Sequence, residues 1–295
     1  MSTVQRKKTR RFLPLYIAAA AAVLALLALL LTLRQCRKEP PEPEIVDPHA
    51  GQALVNDGAN EIWITPAEGI EVSPLTDTDF RELDGLPCYV GRDYTALQGI
   101  DVSEFQVPIQ WNEVKAGGVD FAIIRCGGRK YGNGDLFVDE AFAESVSGAE
   151  NAGLQVGVYF FSQAVTPDEA AEEAELVLNT LQGRDISLPV FFDWERPADE
   201  TARTKAIELS ALTEIAAAFC DTIRKGGYTP GIYFNRQLGY YAYDWAELSD
   251  CARWCADLNA WPDFYYSVDF WQYSFDGEVG GIGIQTDRNL MFVKK

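Results

Sequence analysis

The segment Val190-Phe191-Phe192-Asp193-Trp194-Glu195 sets two acids two residues apart at the end of an apolar run. On a β-strand alternate side chains share a face, so Asp193 and Glu195 point the same way. Two carboxyls held together at the end of an apolar element lose solvation and repel each other, which raises their pKa values. General acid/base catalysis uses that situation, with one carboxyl kept protonated and its neighbour ionised. A solvated strand end with two ordinary acids fits the same residues, and D-x-E alone does not separate the two readings. Two further acids bear on the choice. Asp101 ends GIDVS and Asp287 lies in GIQTD, both strand-like runs. Tyr159, Tyr233 and Trp271 stand at comparable positions and offer ring faces on which a sugar stacks, although each alone also fits core packing.

Other chemistries are poorly supplied. The chain has one His, His49, in a Pro-rich stretch that reads as solvated linker. Unless His49 takes part there is no Ser-His-Asp or Cys-His machinery, and no multi-His metal site. The six Cys are scattered without His partners, so a zinc site is not expected. Cys126 and Cys220 sit in apolar runs and read as small buried hydrophobes. Cys88, Cys126, Cys220, Cys251 and Cys255 permit disulfides outside the cytoplasm, with a pairing that sequence does not reveal. GGRKYGNG lacks the strand-to-helix context of a phosphate loop. Neither a cofactor nor a metal is expected.

The formal charge of −19 conceals an asymmetry. The first 38 residues carry eight Lys and Arg and no acid, which leaves 17 bases against 44 acids in the remainder, a net of −27. Such a body is a poor nucleic-acid binder, because phosphate contacts need a basic face.

The elements that must position the acids follow from the texture of the chain. GIDVS, VDFAIIRCG, LQVGVYFF, SLPVFFDWE and TPGIYF are short runs rich in β-branched and aromatic residues. Helical patterns at 139–152, 167–181 and 204–225 alternate with them. Strand–helix alternation predicts an α/β fold with a parallel sheet, and five or more units over about 200 residues predict a barrel-like closure. After Phe234 the helices shorten, and RWCADL, DFWQYSF and GIGIQTD predict an irregular, strand-rich second half. In such a barrel the C-terminal strand ends face the site.

Upstream, residues 12–33 are uncharged and dominated by Ala and Leu, and as a helix they would reach about 33 Å, enough to cross a membrane. The run ends in LTLRQCRKEP, without the small residues of a cleavage site, which predicts an uncleaved signal anchor. Five bases precede it and three come after it, which favours a cytoplasmic N-terminus and an extracytoplasmic body on a single-pass protein. The predicted layout is a basic cytoplasmic tail at 1–11, a transmembrane anchor at 12–33, a flexible Pro- and charge-rich tether at 34–60, a short ordered extension at 61–98 and a catalytic domain at 99–295.

Residues 99–293 resemble glycoside hydrolase family 25, the lysozymes also called muramidases. GIDVSEFQVPIQW is similar to that family's opening strand, LPVFFDWE to the strand carrying its D-x-E pair, and WQYSFDGEVGGIGIQTDRNLMF to its closing segments. The resemblance implies a modified TIM-like barrel of eight strands with fewer than eight helices. It implies hydrolysis of the β-1,4 bond between N-acetylmuramic acid and N-acetylglucosamine in peptidoglycan glycan strands. By the same resemblance Glu195 matches the general acid/base, and Asp193 the acid that orients the substrate's own acetamido nucleophile. Asp101 and Asp287 match the two further acids of the pocket. Leu258 departs from the family pattern, standing where a Tyr is usual. A substrate-assisted glycosidase acting on chitin and a catalytically silent wall-binding module are the alternative readings.

Overall fold

A computed structural model of the chain describes residues 13–35, 47–83 and 85–295. The basic tail at 1–11 and the 36–46 portion of the tether, with Cys36, lie outside the described residues. Two units are present, residues 1–50 and 51–295. In the first, α1 (Leu13–Gln35) is a helix of Ala and Leu with no acid, long and apolar enough to cross a membrane by length and composition. The Thr32 hydroxyl donates back to the carbonyls of Ala28 and Leu29 and so does not present an unpaired donor.

The second unit opens with two antiparallel hairpins, β1 (Ala53–Asn56) with β2 (Glu61–Ile64), and β3 (Phe80–Leu83) with β4 (Leu86–Tyr89). The first hairpin lies partly within the stretch expected to be tether. Its turn, Asn56-Asp57-Gly58-Ala59-Asn60, has linker-like composition, yet Asp57 Oδ1 accepts the Ala59 and Asn60 N–H groups while its Oδ2 accepts the Tyr241 hydroxyl. Residues that satisfy their own backbone make an ordered turn as readily as a linker. The extension packs on the strands and loops near the C-terminus. Phe80 sits edge-on to Trp271, and the Ser73 N–H donates to the Tyr265 carbonyl.

The rest of the unit is a closed barrel. Its strands are β5 (Tyr94–Val102), β6 (Phe121–Arg129), β8 (Gln155–Ser162), β9 (Val190–Trp194), β10 (Pro230–Asn235), β11 (Ala252–Ala256), β12 (Phe270–Gly277) and β13 (Thr286–Lys294). Pairing of β5 with β6 closes the ring, and β7 (Leu136–Val138) pairs antiparallel to β6 outside it. All eight run parallel except β13, which is antiparallel to both neighbours. Asp287 therefore reaches the mouth from the beginning of its strand, where the other strands end. The connecting helices are α2 (Trp111–Ala116), α3 (Phe142–Asn151), α4 (Pro167–Leu181), α5 (Leu212–Lys225) and α6 (Arg236–Tyr241). The pattern expected to be helical from 204 becomes α-helix only at Leu212; residues 203–206 and 209–211 form single 3₁₀ turns. Arg203 and Thr204 are committed there to partners on other elements.

Two apolar layers result from the two-residue period of the strands. Phe121, Ile123, Phe191, Tyr233, Trp254, Phe270 and Met291 fill the barrel interior. Ile100, Ile124, Val158, Phe192, Phe234 and Trp271 face outward against the helices and the extension. Gly99 and Gly231 supply space rather than flexibility. A Cβ on Gly99 would lie 2.1 Å from the Phe121 ring, and one on Gly231 2.4 Å from the Phe191 ring.

Candidate active site

The same period carries the acids inward. On β9 the interior positions are Phe191 and then Asp193, with Glu195 one residue beyond the strand end. On β5 they are Gly99 and Asp101, and on β13 Met291, Asn289 and Asp287. Apolar side chains thus fill the floor and polar ones the mouth. Asp101, Asp193, Glu195 and Asp287 line one cavity of about 510 Å³, together with Tyr159, Tyr233, Trp254, Gln272 and Arg125. Phe105 and Tyr131, both exposed, form part of its rim.

Hydrogen bonds fix the geometry on the β5–β13 side. Asp101 and Asp287 are direct partners in the antiparallel register. Gln272 Nε2 donates to Asp101 Oδ2 at 3.0 Å and to Asp287 Oδ2 at 3.3 Å, and Asn289 Nδ2 donates to Asp101 Oδ2 at 2.7 Å. Each amide is oriented by an aromatic donor. The Tyr233 hydroxyl donates to Gln272 Oε1 at 2.7 Å, and Trp254 Nε1 donates to Asn289 Oδ1 at 2.8 Å. With its oxygen occupied, each amide can only offer its NH₂ to the carboxylates.

The β9 side is left unsatisfied. Asp193 is buried and its Oδ1 has no hydrogen-bond partner. A buried, unpaired acceptor is costly, and this one belongs to a residue of the cavity wall. Glu195 is exposed by area yet sits in a concave wall, and that crowding governs its electrostatics more than its reach to solvent does. Desolvation, followed by the charge of Asp101, pushes its carboxyl above the ordinary range. Desolvation and then the charges of Glu195 and Asp101 push Asp193 well up, with Arg125 pulling it back. Arg125 is itself held by Asp139 at 2.7 Å and Glu104 at 2.9 Å. The cavity therefore favours the protonated form of its carboxyls, and general acid/base work needs one protonated carboxyl beside an ionised one.

Comparison with known proteins gives the family and the fold. The sequence profile of Glycosyl hydrolases family 25 matches residues 100–282, more than half of the chain. The chain belongs to glycosyl hydrolase family 25. Lysozyme M1 of Streptomyces globisporus is 28% identical over 216 residues, a match covering 67% of this chain and 68% of that protein. The autolytic lysozyme of Clostridium acetobutylicum is 25% identical over 197 residues, covering 65% of this chain and 54% of that one. Among solved structures, the modular autolysin LytC of Streptococcus pneumoniae, in complex with a synthetic peptidoglycan ligand, superposes with a TM-score of 0.60. That likeness has 22% identity and covers 72% of this chain and 52% of LytC. A family 25 glycosyl hydrolase of Bacillus anthracis gives 0.57 at 19% identity, over 75% of this chain and 96% of that one. At these identities the superpositions speak for the fold: an eight-stranded barrel with fewer than eight helices.

For a family 25 glycoside hydrolase, six of the seven site residues expected from sequence line one cavity and the seventh does not. Trp271 is completely buried on the outer face of β12, edge-on to Phe80, and its indole N–H donates to the Asp257 carbonyl. The reason is the strand period: Gln272 faces the acids, so its neighbour must face away. Trp254, from the adjacent strand, stands in the cavity wall instead. Trp271 is thus a packing residue. Trp271→Ala should lower the free energy of unfolding by about 3–5 kcal/mol, read from denaturant titration, while the KM of the folded enzyme stays unchanged. Leu258 is exposed on the loop after β11 and does not line the cavity.

The Asp101–Asp287 pair makes a second testable point. Desolvation, then the charge of Asp101 and a hydrogen bond to it, push Asp287 up to about 9. The folded chain therefore holds a proton here that the unfolded chain releases near pH 4. Folding takes up that proton between the two pKa values, so this group makes the protein less stable as pH rises from about 4 towards 9. Asp287→Asn removes the titration and leaves an NH₂ able to donate to Asp101. Its melting temperature relative to wild type should rise from pH 5 to pH 8; parallel curves would contradict the shared proton.

The cysteines are thiols among the described residues, and Cys126 and Cys220 are buried in apolar surroundings as expected. Gln272, Asn289, Trp254 and Arg125 were not singled out from sequence. For the three polar residues the signal is a polar side chain at an interior-phase position of an otherwise apolar strand; Trp254, an aromatic among apolar neighbours, offers no such signal.

Proposed function

We propose that the protein is a muramidase that hydrolyses the β-1,4 bond between N-acetylmuramic acid and N-acetylglucosamine in peptidoglycan. The observation that carries the reading is the convergence of Asp101, Asp193, Glu195 and Asp287 on one cavity at the mouth of a family 25 barrel. The lysozyme names of the curated relatives support the substrate class. Glu195, exposed to the cavity with a raised pKa, protonates the leaving oxygen and then deprotonates water. Asp193, with a free buried acceptor, receives the N–H of the substrate's acetamido group. It thereby turns the acetamido oxygen toward the anomeric carbon and stabilises the positive charge that develops. The product retains its anomeric configuration without a covalent enzyme intermediate, a departure from the simple two-carboxylate scheme. Asp101 and Asp287, braced by Gln272 and Asn289, shape the sugar site beside it. Tyr159, Tyr233 and Trp254 supply its aromatic wall.

The α1 helix, read with the bulky and charged residues after it, supports a single-pass anchor through residues 12–33 and a catalytic domain outside the cytoplasmic membrane. The acidic body would be repelled by anionic wall polymers, and tethering compensates by holding it at high effective concentration. The test is release of reducing ends from purified peptidoglycan by the full-length protein in detergent, with chitin oligomers as the comparison. Release from peptidoglycan alone supports the reading, and release from chitin at an equal rate overturns the substrate assignment.

A further inference from the structure

Glu195 lies one residue past the end of β9, and no hydrogen bond to its side chain occurs among the described residues. The direction of its carboxyl therefore depends on the backbone of the loop at residues 195–211. That loop is tied down by Arg203, Thr204 and Lys205, none of which lines the cavity. Lys205 Nζ donates to the carbonyl of Pro197, two residues after Glu195, at 3.2 Å and pairs with Glu200 at 2.9 Å. Beside it, the Thr204 hydroxyl, completely buried, donates to Gln163 Oε1 at 2.8 Å. Arg203 makes the widest set of contacts. Its guanidinium grips both oxygens of Glu169, at 2.8 and 2.5 Å, and the Gln163 carbonyl at 3.0 Å, while its N–H donates to the Tyr131 carbonyl.

The receiving surface is rigid in its turn. Glu169 lies in the first turn of α4, where Thr166 accepts its N–H and its own Oε2 accepts the Val165 N–H. Desolvation would raise the Glu169 carboxyl, but Arg203 and the Val165 N–H hold it below the ordinary range, so it is a fixed anion. Gln163 comes directly after β8, and its amide N–H donates to the Ser162 carbonyl, which aims its oxygen at Thr204. A bidentate arginine–carboxylate pair combined with a buried hydroxyl–amide bond fixes both position and orientation, more than surface tethering of a loop requires.

We propose that Arg203 and Thr204, clamped on Glu169 and Gln163, form a positioning device for the general acid. They hold the loop after β9, and with it the Glu195 carboxyl, in register with Asp193 and with the Tyr131 rim. The inference rests on the assignment of Glu195 as the acid. A catalytic group displaced by about 1 Å loses on the order of 10²-fold in rate, while a substrate bound mainly by other walls of the cavity keeps its affinity. The clamp thus predicts a kcat effect without a KM effect.

The experiment measures kcat and KM on solubilised peptidoglycan for full-length Thr204→Val, Thr204→Ser, Arg203→Ala and Arg203→Lys, with Glu195→Gln in parallel. Thr204→Val and Arg203→Ala should lose roughly tenfold to 100-fold in kcat with KM within about twofold of wild type. Thr204→Ser keeps the hydroxyl and should stay within about threefold of wild type. Arg203→Lys keeps the charge but loses the fork and should fall in between. Should Arg203→Ala fail to fold, Thr204→Val, which is nearly isosteric with the wild-type residue and lacks only its hydroxyl, decides alone. If Glu195→Gln is inactive while Thr204→Val and Arg203→Ala turn over normally, or lose only KM, the positioning role is wrong. If Glu195→Gln itself retains turnover, the assignment of the acid fails instead.

Discussion

Glu195→Gln should lower kcat by about 10²–10⁴-fold or more, the range that general acid/base catalysis contributes, while the melting temperature changes little. The amide is nearly isosteric, and the side chain faces the cavity rather than the packed layers. What the substitution removes is the proton. In the wild-type chain desolvation and the charge of Asp101 keep the Glu195 proton in place above the ordinary carboxylate range. On the basic side activity should accordingly fall as pH rises through the raised Glu195 pKa, because the leaving sugar would then depart unprotonated, while protonation of Asp193 sets an acidic limb. The amide variant should lose that basic limb along with its rate. A variant keeping more than about a tenth of wild-type turnover would remove Glu195 from the role.

Asp193→Asn should reduce kcat by about 10²–10³-fold with a much smaller change in KM, the pattern expected when the interaction lost is far stronger in the transition state than in the bound substrate. In the proposed mechanism the carboxylate orients the acetamido group and faces the positive charge of an oxazolinium-like intermediate; an amide offers neither the charge nor an acceptor of equal strength. Because Asp193 is buried with one oxygen unpaired and its pKa pushed well up, the same substitution should raise the melting temperature at neutral pH. Loss of rate with gain of stability distinguishes a catalytic carboxylate from a structural one. The stereochemical counterpart is a β anomer as the first product seen by proton NMR. An initial α anomer would rule out assistance by the substrate's own acetamido group.

How much of the site is legible in the sequence depends on what each residue has to reveal. Asp193 and Glu195 are readable because a charged pair at the end of Val190-Phe191-Phe192 violates the pattern of a buried strand, and the violation is itself the signal. Asp101 and Asp287 are readable by analogous position, although the reversal of β13, which brings Asp287 to the mouth from the start of its strand, is not. Trp271 is misassigned when aromatic character is weighed without phase. On β12 the phase is set by Gln272, and only the pairing of Gln272 with Asn289 makes that visible. Residues 53–60 read as tether because Asn, Asp and Gly serve turns and linkers alike; the Asp57–Tyr241 bond spans 184 residues and leaves no local trace. The Arg203 clamp is hidden for a similar reason. The glutamates of α4 look like an ordinary solvated face, and the burial of Glu173 against Arg129 and Ser162 is a tertiary fact.

The identity of the new reducing end tests the central assignment most directly. Purified peptidoglycan is digested with the full-length protein, the products are reduced with borohydride, and the terminal sugar alcohol is identified by mass spectrometry. Cleavage of the bond assigned to this cavity yields the alcohol of N-acetylmuramic acid at every new end, with none released by Glu195→Gln. New ends carrying the alcohol of N-acetylglucosamine, or equal release by the variant, would contradict it.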